Sequence, residues 1–129
     1  MRPGLFILLF IICTNCFSNT IIVGSNQPVH LLKKAFEMSK DKDSIILLAG
    51  IYKEGPLMLT RSITLLGRGN PVLDGENKYE ILLISGKNIT ITGIQFRNSG
   101  YSSMNDYASV KVIDASDFII ENNIMFTKD

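Results

Sequence analysis

The residues best suited to chemistry crowd into one short segment. Asp74, Glu76, Lys78 and Tyr79 surround Gly75 in the run Asp74-Gly75-Glu76-Asn77-Lys78-Tyr79-Glu80, the densest charge cluster in the chain. Tyr101, Asp106 and Tyr107 follow further along. Carboxylates and a lysine beside aromatic rings can form a surface for a sugar or a protein partner, because the rings offer apolar faces and the charges offer hydrogen bonds. The plainer reading is a set of solvated turns, since Asp74-Gly75 is a turn signal. A third reading is catalytic. A glycosidase needs two carboxyl groups about 5–9.5 Å apart across a groove. Asp74 and Glu76 flank Gly75 and are of the right type, but facing geometry is not a property of sequence, and no repeated Asp cluster appears on the strands.

Soft metal ligands are the other candidate chemistry. Met38, Met58, Met104 and Met125 carry thioethers and His30 the only imidazole. Cuprous copper favours both donors. These residues sit in separate segments without a Met-x-x-Met or His-x-His spacing, so the sequence identifies no copper site among them. Met58 and Met125 lie in apolar runs and are expected in the core, whereas Met104, in a polar stretch, is expected outside it. His30 is expected to pack near a helix, because one imidazole cannot close a metal site.

The elements that must position these residues begin after an export signal. Arg2 precedes the apolar run Leu5–Cys13, which is far shorter than the roughly 20 residues of a spanning helix. With Cys16 and Ser18 as small residues, residues 1–18 read as a signal peptide cut after Ser18. An uncleaved anchor and a lipoprotein are the alternatives. Cleavage removes Cys13 and Cys16 and leaves 12 basic and 12 acidic groups. The exported domain then has no disulfide, and its balanced charge gives no footprint for nucleic acid. With 46% hydrophobic and 19% charged residues, the chain is ordinary for a folded domain, which argues against disorder.

Residues 19–43 read as a β-type run, Thr20–Val23, followed by one amphipathic helix. Val29, Leu32, Ala35 and Phe36 share a face, with Pro28 in the first turn and Ser25 or Asn26 available as N-cap. About three turns are expected, ending at the polar run Lys40-Asp41-Lys42-Asp43. From residue 44 to 129 the pattern changes to short strands that open on a small polar residue and close on Gly or Asn. Ser44–Gly50, Ser62–Gly67, Asn88–Gly93 and Asp117–Asn122 are four such units. Further apolar runs, Leu57–Leu59, Ile81–Ile84 and Val110–Ile113, precede the last three, and Ile94–Phe96 and Ile124–Phe126 follow two of them. Matched positions Ile45, Ile63, Ile89 and Phe118 are 18, 26 and 29 residues apart. A repeat of irregular length fits an all-β parallel β-helix, whose stacked coils keep register at about 4.8 Å while their turns vary. A hairpin-built sandwich would want tight Asn-Gly joints, and none occurs. The helix then caps the open first coil. Asn98 and Asn122 or Asn123 are expected at bends, where asparagine tolerates left-handed backbone, and Asn88-Ile89-Thr90 reads as a turn-to-strand junction.

Three segments carry a family resemblance. Ala49-Gly50-Ile51-Tyr52-Lys53-Glu54 resembles the start of many pectin-lyase-like right-handed β-helices. Asn70–Ile81 (NPVLDGENKYEI) and Asn98-Ser99-Gly100-Tyr101-Ser102-Ser103, followed by Asp106-Tyr107-Ala108, resemble the NosD family of periplasmic β-helix proteins from Thr20 onward. The resemblance implies a right-handed helix and a non-enzymatic periplasmic role in assembling the copper centre of nitrous oxide reductase. It implies an ABC transporter as partner, with the reductase itself or a copper chaperone as further ones, and copper as the cofactor of the full-length system. Many relatives in the wider superfamily cleave acidic polysaccharides, so carbohydrate binding or cleavage is the rival function. Family members are several times longer than this chain. The 111 residues after the signal suffice for three to four coils, roughly 15–19 Å of solenoid. The sequence therefore reads as the N-terminal portion of such a protein, with an open last coil prone to self-association.

Overall fold

Strands make up about half of the chain described by the computed structural model, which covers residues 18–100 and 109–126, and in most of them every second residue is buried. Residues 1–17, most of the segment expected to be a signal peptide, together with Tyr101, Met104, Asp106 and Tyr107, lie outside the described residues. In β2 (Ser44–Leu48) Ile45 and Leu47 point inward, and in β5 (Thr64–Arg68) Leu65 does so. This follows from the two-residue period of a strand, which puts alternate side chains on one face.

The strands stack into three sides. On the first, β1 (Thr20–Val23), β2, β5, the second half of β7 (Leu82–Thr92) and the second half of β9 (Val110–Glu121) run parallel. Their register lines up Ile45, Leu65, Ile91 and Ile120. On the second, β3 (Ile51–Tyr52), β6 (Val72–Asp74), β8 (Gln95–Arg97) and β10 (Ile124–Met125) align Tyr52, Leu73, Phe96 and Met125. The third side stacks β4 (Leu57–Leu59) on the first halves of β7 and β9, so that Leu59, Ile84 and Val112 align. β7 and β9 each turn a corner from the third side of one coil to the first side of the next. The chain is thus a right-handed parallel β-helix of about four turns. Its core is the apolar interior of these ladders, with Leu47, Leu65, Leu82, Ile84, Ile89, Ile91, Ile94 and Phe96 fully buried.

The register corrects the first repeat. Ile45 pairs with Leu65, not with Ile63, so that coil is 20 residues long rather than 18. A two-residue slip leaves every side chain on the same face, so apolar pattern alone cannot detect it. The later spacings hold: Ile89 pairs with Phe118, and the Thr90 N–H donates to the Ile63 carbonyl. The strands β3 and β6 have no counterpart in the sequence reading, because two or three residues are too few to show a period.

Left-handed residues make the corners. Asn88 (φ 54°) and Asp117 (φ 53°) stand just before the paired Ile89 and Phe118, which explains the small polar residue that opens these strands. Asn98 (φ 56°) and Asn122 (φ 55°) also sit at bends. They occupy different corners, however, after β8 and between β9 and β10, and so form no common ladder. Asn123 links two coils instead: its Oδ1 accepts the Ile94 N–H at 2.9 Å and its Nδ2 donates to the Ile91 carbonyl at 3.0 Å. At the corner between the first and second sides the backbones nearly touch. A Cβ on Gly67 would lie 2.1 Å from the Gly93 oxygen, so only glycine fits there.

The helix α1 (Leu32–Met38) closes the N-terminal end, burying Leu32, Ala35 and Phe36 against the first coil. It is two turns long, not three, and starts later than the periodicity suggests. Val29 instead bridges Val23 in parallel. Neither Ser25 nor Asn26 caps it. The Glu54 carboxylate does, accepting the Leu32 and Lys33 N–H groups at 2.8 and 2.9 Å. At the other helix end Arg61 donates to the carbonyls of Phe36, Glu37 and Ser39. A carboxylate at the start and a guanidinium at the end both complement the helix dipole. Below the helix, buried Asp43 accepts the N–H groups of Asn19 (2.9 Å) and Lys40 (2.8 Å). These hydrogen bonds, chiefly that from Asn19, hold its carboxyl below the usual range.

Two methionine expectations are overturned. Met58 is 59% exposed and Met125 48%. Leu57 and Leu59 take the inward positions of β4, so Met58 must point out. Met125 points inward, in register with Phe96, but no described coil lies over it. Met38, at the end of α1, is also exposed, so Met104 is not alone in being expected outside the core.

Candidate functional site

Asp74 ends β6 and is buried. Its Oδ1 accepts the Glu76 N–H at 2.8 Å, which tightens the turn, and the Asn98 Nδ2 at 3.2 Å. Its Oδ2 pairs with Arg97 Nε at 3.2 Å, and Arg97 is its register partner on the next coil. Burial pushes this carboxyl up, yet the bonds from Glu76, Asn98 and Arg97 outweigh it and hold the group below the normal range. Asp74 is therefore an ionised staple between two coils.

The turn it anchors presents the other residues. Glu76 and Asn77 adopt left-handed backbone (φ 53° and 59°), and the Lys78 N–H closes on the Gly75 carbonyl at 2.9 Å. Glu76 is exposed and its Oε2 accepts the Tyr79 hydroxyl at 3.0 Å. That hydroxyl in turn accepts the Gly55 N–H from the coil below at 3.1 Å. Burial, then the Glu76 carboxylate, raise the Tyr79 phenol above its ordinary pKa. Two hydrogen bonds at the hydroxyl thus fix the tip of the ring.

Tyr79 and Lys78 line a shallow groove on the outer face of the third side, with Pro56, Met58, Glu80 and Leu83. Its apolar floor follows from the register: Met58 and Leu83 are paired outward residues of β4 and β7. Lys111, next in that row, makes an ion pair with Glu80 at 3.3 Å and closes the groove on one side. The structure thus brings Lys78 and Tyr79 to one groove, uses Glu76 to fix Tyr79, and places Asp74 in the interior. The turn lies directly against the start of the second predicted segment, since Asn77 N–H bonds the Asn98 carbonyl (2.8 Å) and Gly100 N–H the Tyr79 carbonyl (2.9 Å). Tyr101, Asp106 and Tyr107 themselves lie outside the described residues.

Sequence reasoning missed Pro56, Met58 and Leu83 as surface residues, and Arg97 and Asn98 as the partners of Asp74. Strict alternation in Leu57-Met58-Leu59 would have found Met58. The Asp74–Arg97 pair needed the coil length, which only the register supplies.

Chemically, the groove offers an apolar floor with one cation and one anion at its rim, a setting for binding an amphipathic group. Asp74 and Glu76 do not line a common groove as an acid–nucleophile pair would. Among the described residues no three His, Cys, Asp or Glu side chains converge on a metal position. His30 is exposed, with Nδ1 3.3 Å from the Gly24 carbonyl beside the cap.

The fold and this outer groove define a capped parallel β-helix with a lateral groove. Compared with known proteins, the chain matches no family model and no curated protein.

Proposed function

We propose that this protein is a non-enzymatic, exported β-helix accessory protein that presents the outer face of its third side to a protein partner. The observation that carries this reading is the fixed Tyr79, held by Glu76 and Gly55 N–H at the edge of an apolar groove with Met58 and Leu83. A rigid aromatic anchor beside methionine and leucine, rimmed by charges, is the composition of a protein-binding hot spot. The segments resembling the NosD family support a role for that partner in periplasmic assembly of the copper centre of nitrous oxide reductase, with an ABC transporter, the reductase or a copper chaperone as the bound protein. Copper belongs in this reading to the assembled system.

Deleting the gene tests the reading. The reductase should still be exported but lack its catalytic copper centre, and the full-length gene should restore it while a Tyr79→Ala, Met58→Lys double variant should not. Normal reductase activity in the deletion strain overturns the proposal. Release of sugar products from pectin-like polymers by the purified protein would replace it with the polysaccharide reading. For that chemistry Asp74 would first have to leave its three hydrogen bonds.

A further inference from the structure

Among the described residues two carboxylates are buried, and only one of them has a cation. Asp74 (5% exposed) pairs with Arg97. Asp43 (4% exposed) accepts two backbone N–H groups, from Asn19 on Oδ1 at 2.9 Å and from Lys40 on Oδ2 at 2.8 Å. No side-chain cation among the described residues lies within ion-pairing distance of it, and Lys40 is exposed. A charge taken out of water is costly unless it is paired, so an ionised Asp43 has a place for a positive group.

The Asn19 nitrogen already occupies that place. Asn19 is held from its other side as well, because its carbonyl accepts the Ser44 N–H at 2.9 Å and Thr20 then pairs with Ser44 where β1 meets β2. Asp43 is fixed in turn: its N–H donates to the Lys40 carbonyl at 3.0 Å and its carbonyl accepts the Thr64 N–H at 3.1 Å. Ser18, one residue earlier, is exposed and outside any strand. The bond between Ser18 and Asn19 is the one that the small residues Cys16 and Ser18 mark for a signal peptidase. Hydrolysis of that bond consumes one water. The C–N bond breaks, the water oxygen goes to the Ser18 carbonyl carbon, and both water protons go to the Asn19 nitrogen. The leader departs with a Ser18 carboxylate, and Asn19 keeps an α-ammonium. A neutral donor 2.9 Å from the Asp43 carboxylate thereby becomes a full charge at the same atom, and a hydrogen bond between two charged groups is about twice as strong as a neutral one.

We infer, on the export reading proposed above, that the mature chain begins at Asn19 and that its new α-ammonium forms an ion pair with Asp43, so that removal of the leader fastens β1 to the capped first coil.

N-terminal sequencing and the intact mass of the exported full-length product should give Asn19 as the first residue. With an amine-reactive label near pH 8, close to the ordinary value of an α-amine, the Asn19 amine of the folded protein should react about fivefold or more slowly than that of the urea-unfolded protein, because the ion pair keeps its proton in place. Asp43→Asn should remove most of this protection. Asp41→Asn, whose carboxylate accepts the Ser62 N–H instead, should leave it intact. The protection is read on the native protein itself, so a folding defect in Asp43→Asn does not blunt the test. An uncut chain would overturn both the export reading and the inference. A first residue other than Asn19, equal labelling of folded and unfolded protein, or protection that survives Asp43→Asn would overturn the inference alone.

Discussion

At the N-terminal end of the solenoid Leu32, Ala35 and Phe36 are buried under α1, and the helix is tied down by Glu54, Arg61 and Asp43. On the last described coil Val112, Phe118, Met125 and Phe126 are exposed among the described residues, over the ladders of β7 and β8. Both coils carry apolar inward side chains, and among the described residues the first lies under α1. A coil in the middle is stabilised from both sides, and a terminal coil only from one, so stability in a stacked fold depends on how each end is finished.

The largest effect should come from uncovering the closed end. Phe36→Ala is expected to cost about 3 kcal/mol, because it empties a buried site in the cap, whereas Phe126→Ala, at an exposed position of the last described coil, should cost under about 0.5 kcal/mol. Urea unfolding of the two variants checks this, and equal losses would break the distinction between the ends. Asn122→Leu comes next. It puts a branched side chain on left-handed backbone and should weaken the last coil by about 1–2 kcal/mol. Asn122→Gly should be tolerated, and hydrogen exchange in β10 would separate the two.

The caps themselves should contribute less. Glu54→Ala leaves two helix N–H groups without their partner and is expected to cost about 1 kcal/mol. Helix amides should exchange faster while those of β8 do not. A uniform change across the molecule would mean that Glu54 acts on the whole solenoid and not on its cap. The smallest effect is one of pH. Asp43 has a depressed carboxyl in the folded protein, so the unfolded chain binds more protons in the acid range and stability rises with pH there. Its contribution is complete above the unfolded value near 4 and disappears as pH falls through the lower folded value. Asp74 follows the same sign. Asp43→Asn should flatten the acid limb of stability against pH, and an unchanged limb would assign it to Asp74 and other groups.

Much of the architecture could be read from the residues. Apolar alternation, polar strand openings and the irregular repeat in Ile63, Ile89 and Phe118 led to the parallel β-helix, and the shared face of Leu32, Ala35 and Phe36 to the cap. The site was less legible. Asp74, Glu76, Lys78 and Tyr79 are adjacent in sequence, yet the first is buried, the second props the fourth, and only Lys78 and Tyr79 line the groove. A turn places consecutive side chains in different directions, and nothing local to it shows which ones the neighbouring coil will engage.

The sequence by itself determined which side chains face inward in the longer inner strands such as β2 and β5, because a strand's period of two is a local property. It also determined that the coils repeat and that one helix covers one end. Tertiary structure alone decided how the coils register, and with that the 20-residue first repeat, the Asp74–Arg97 staple and the Glu54 cap. The reason is physical. Turn lengths vary without changing the alternation, so partners 20 or more residues apart are chosen only when the coils stack and close every buried hydrogen bond.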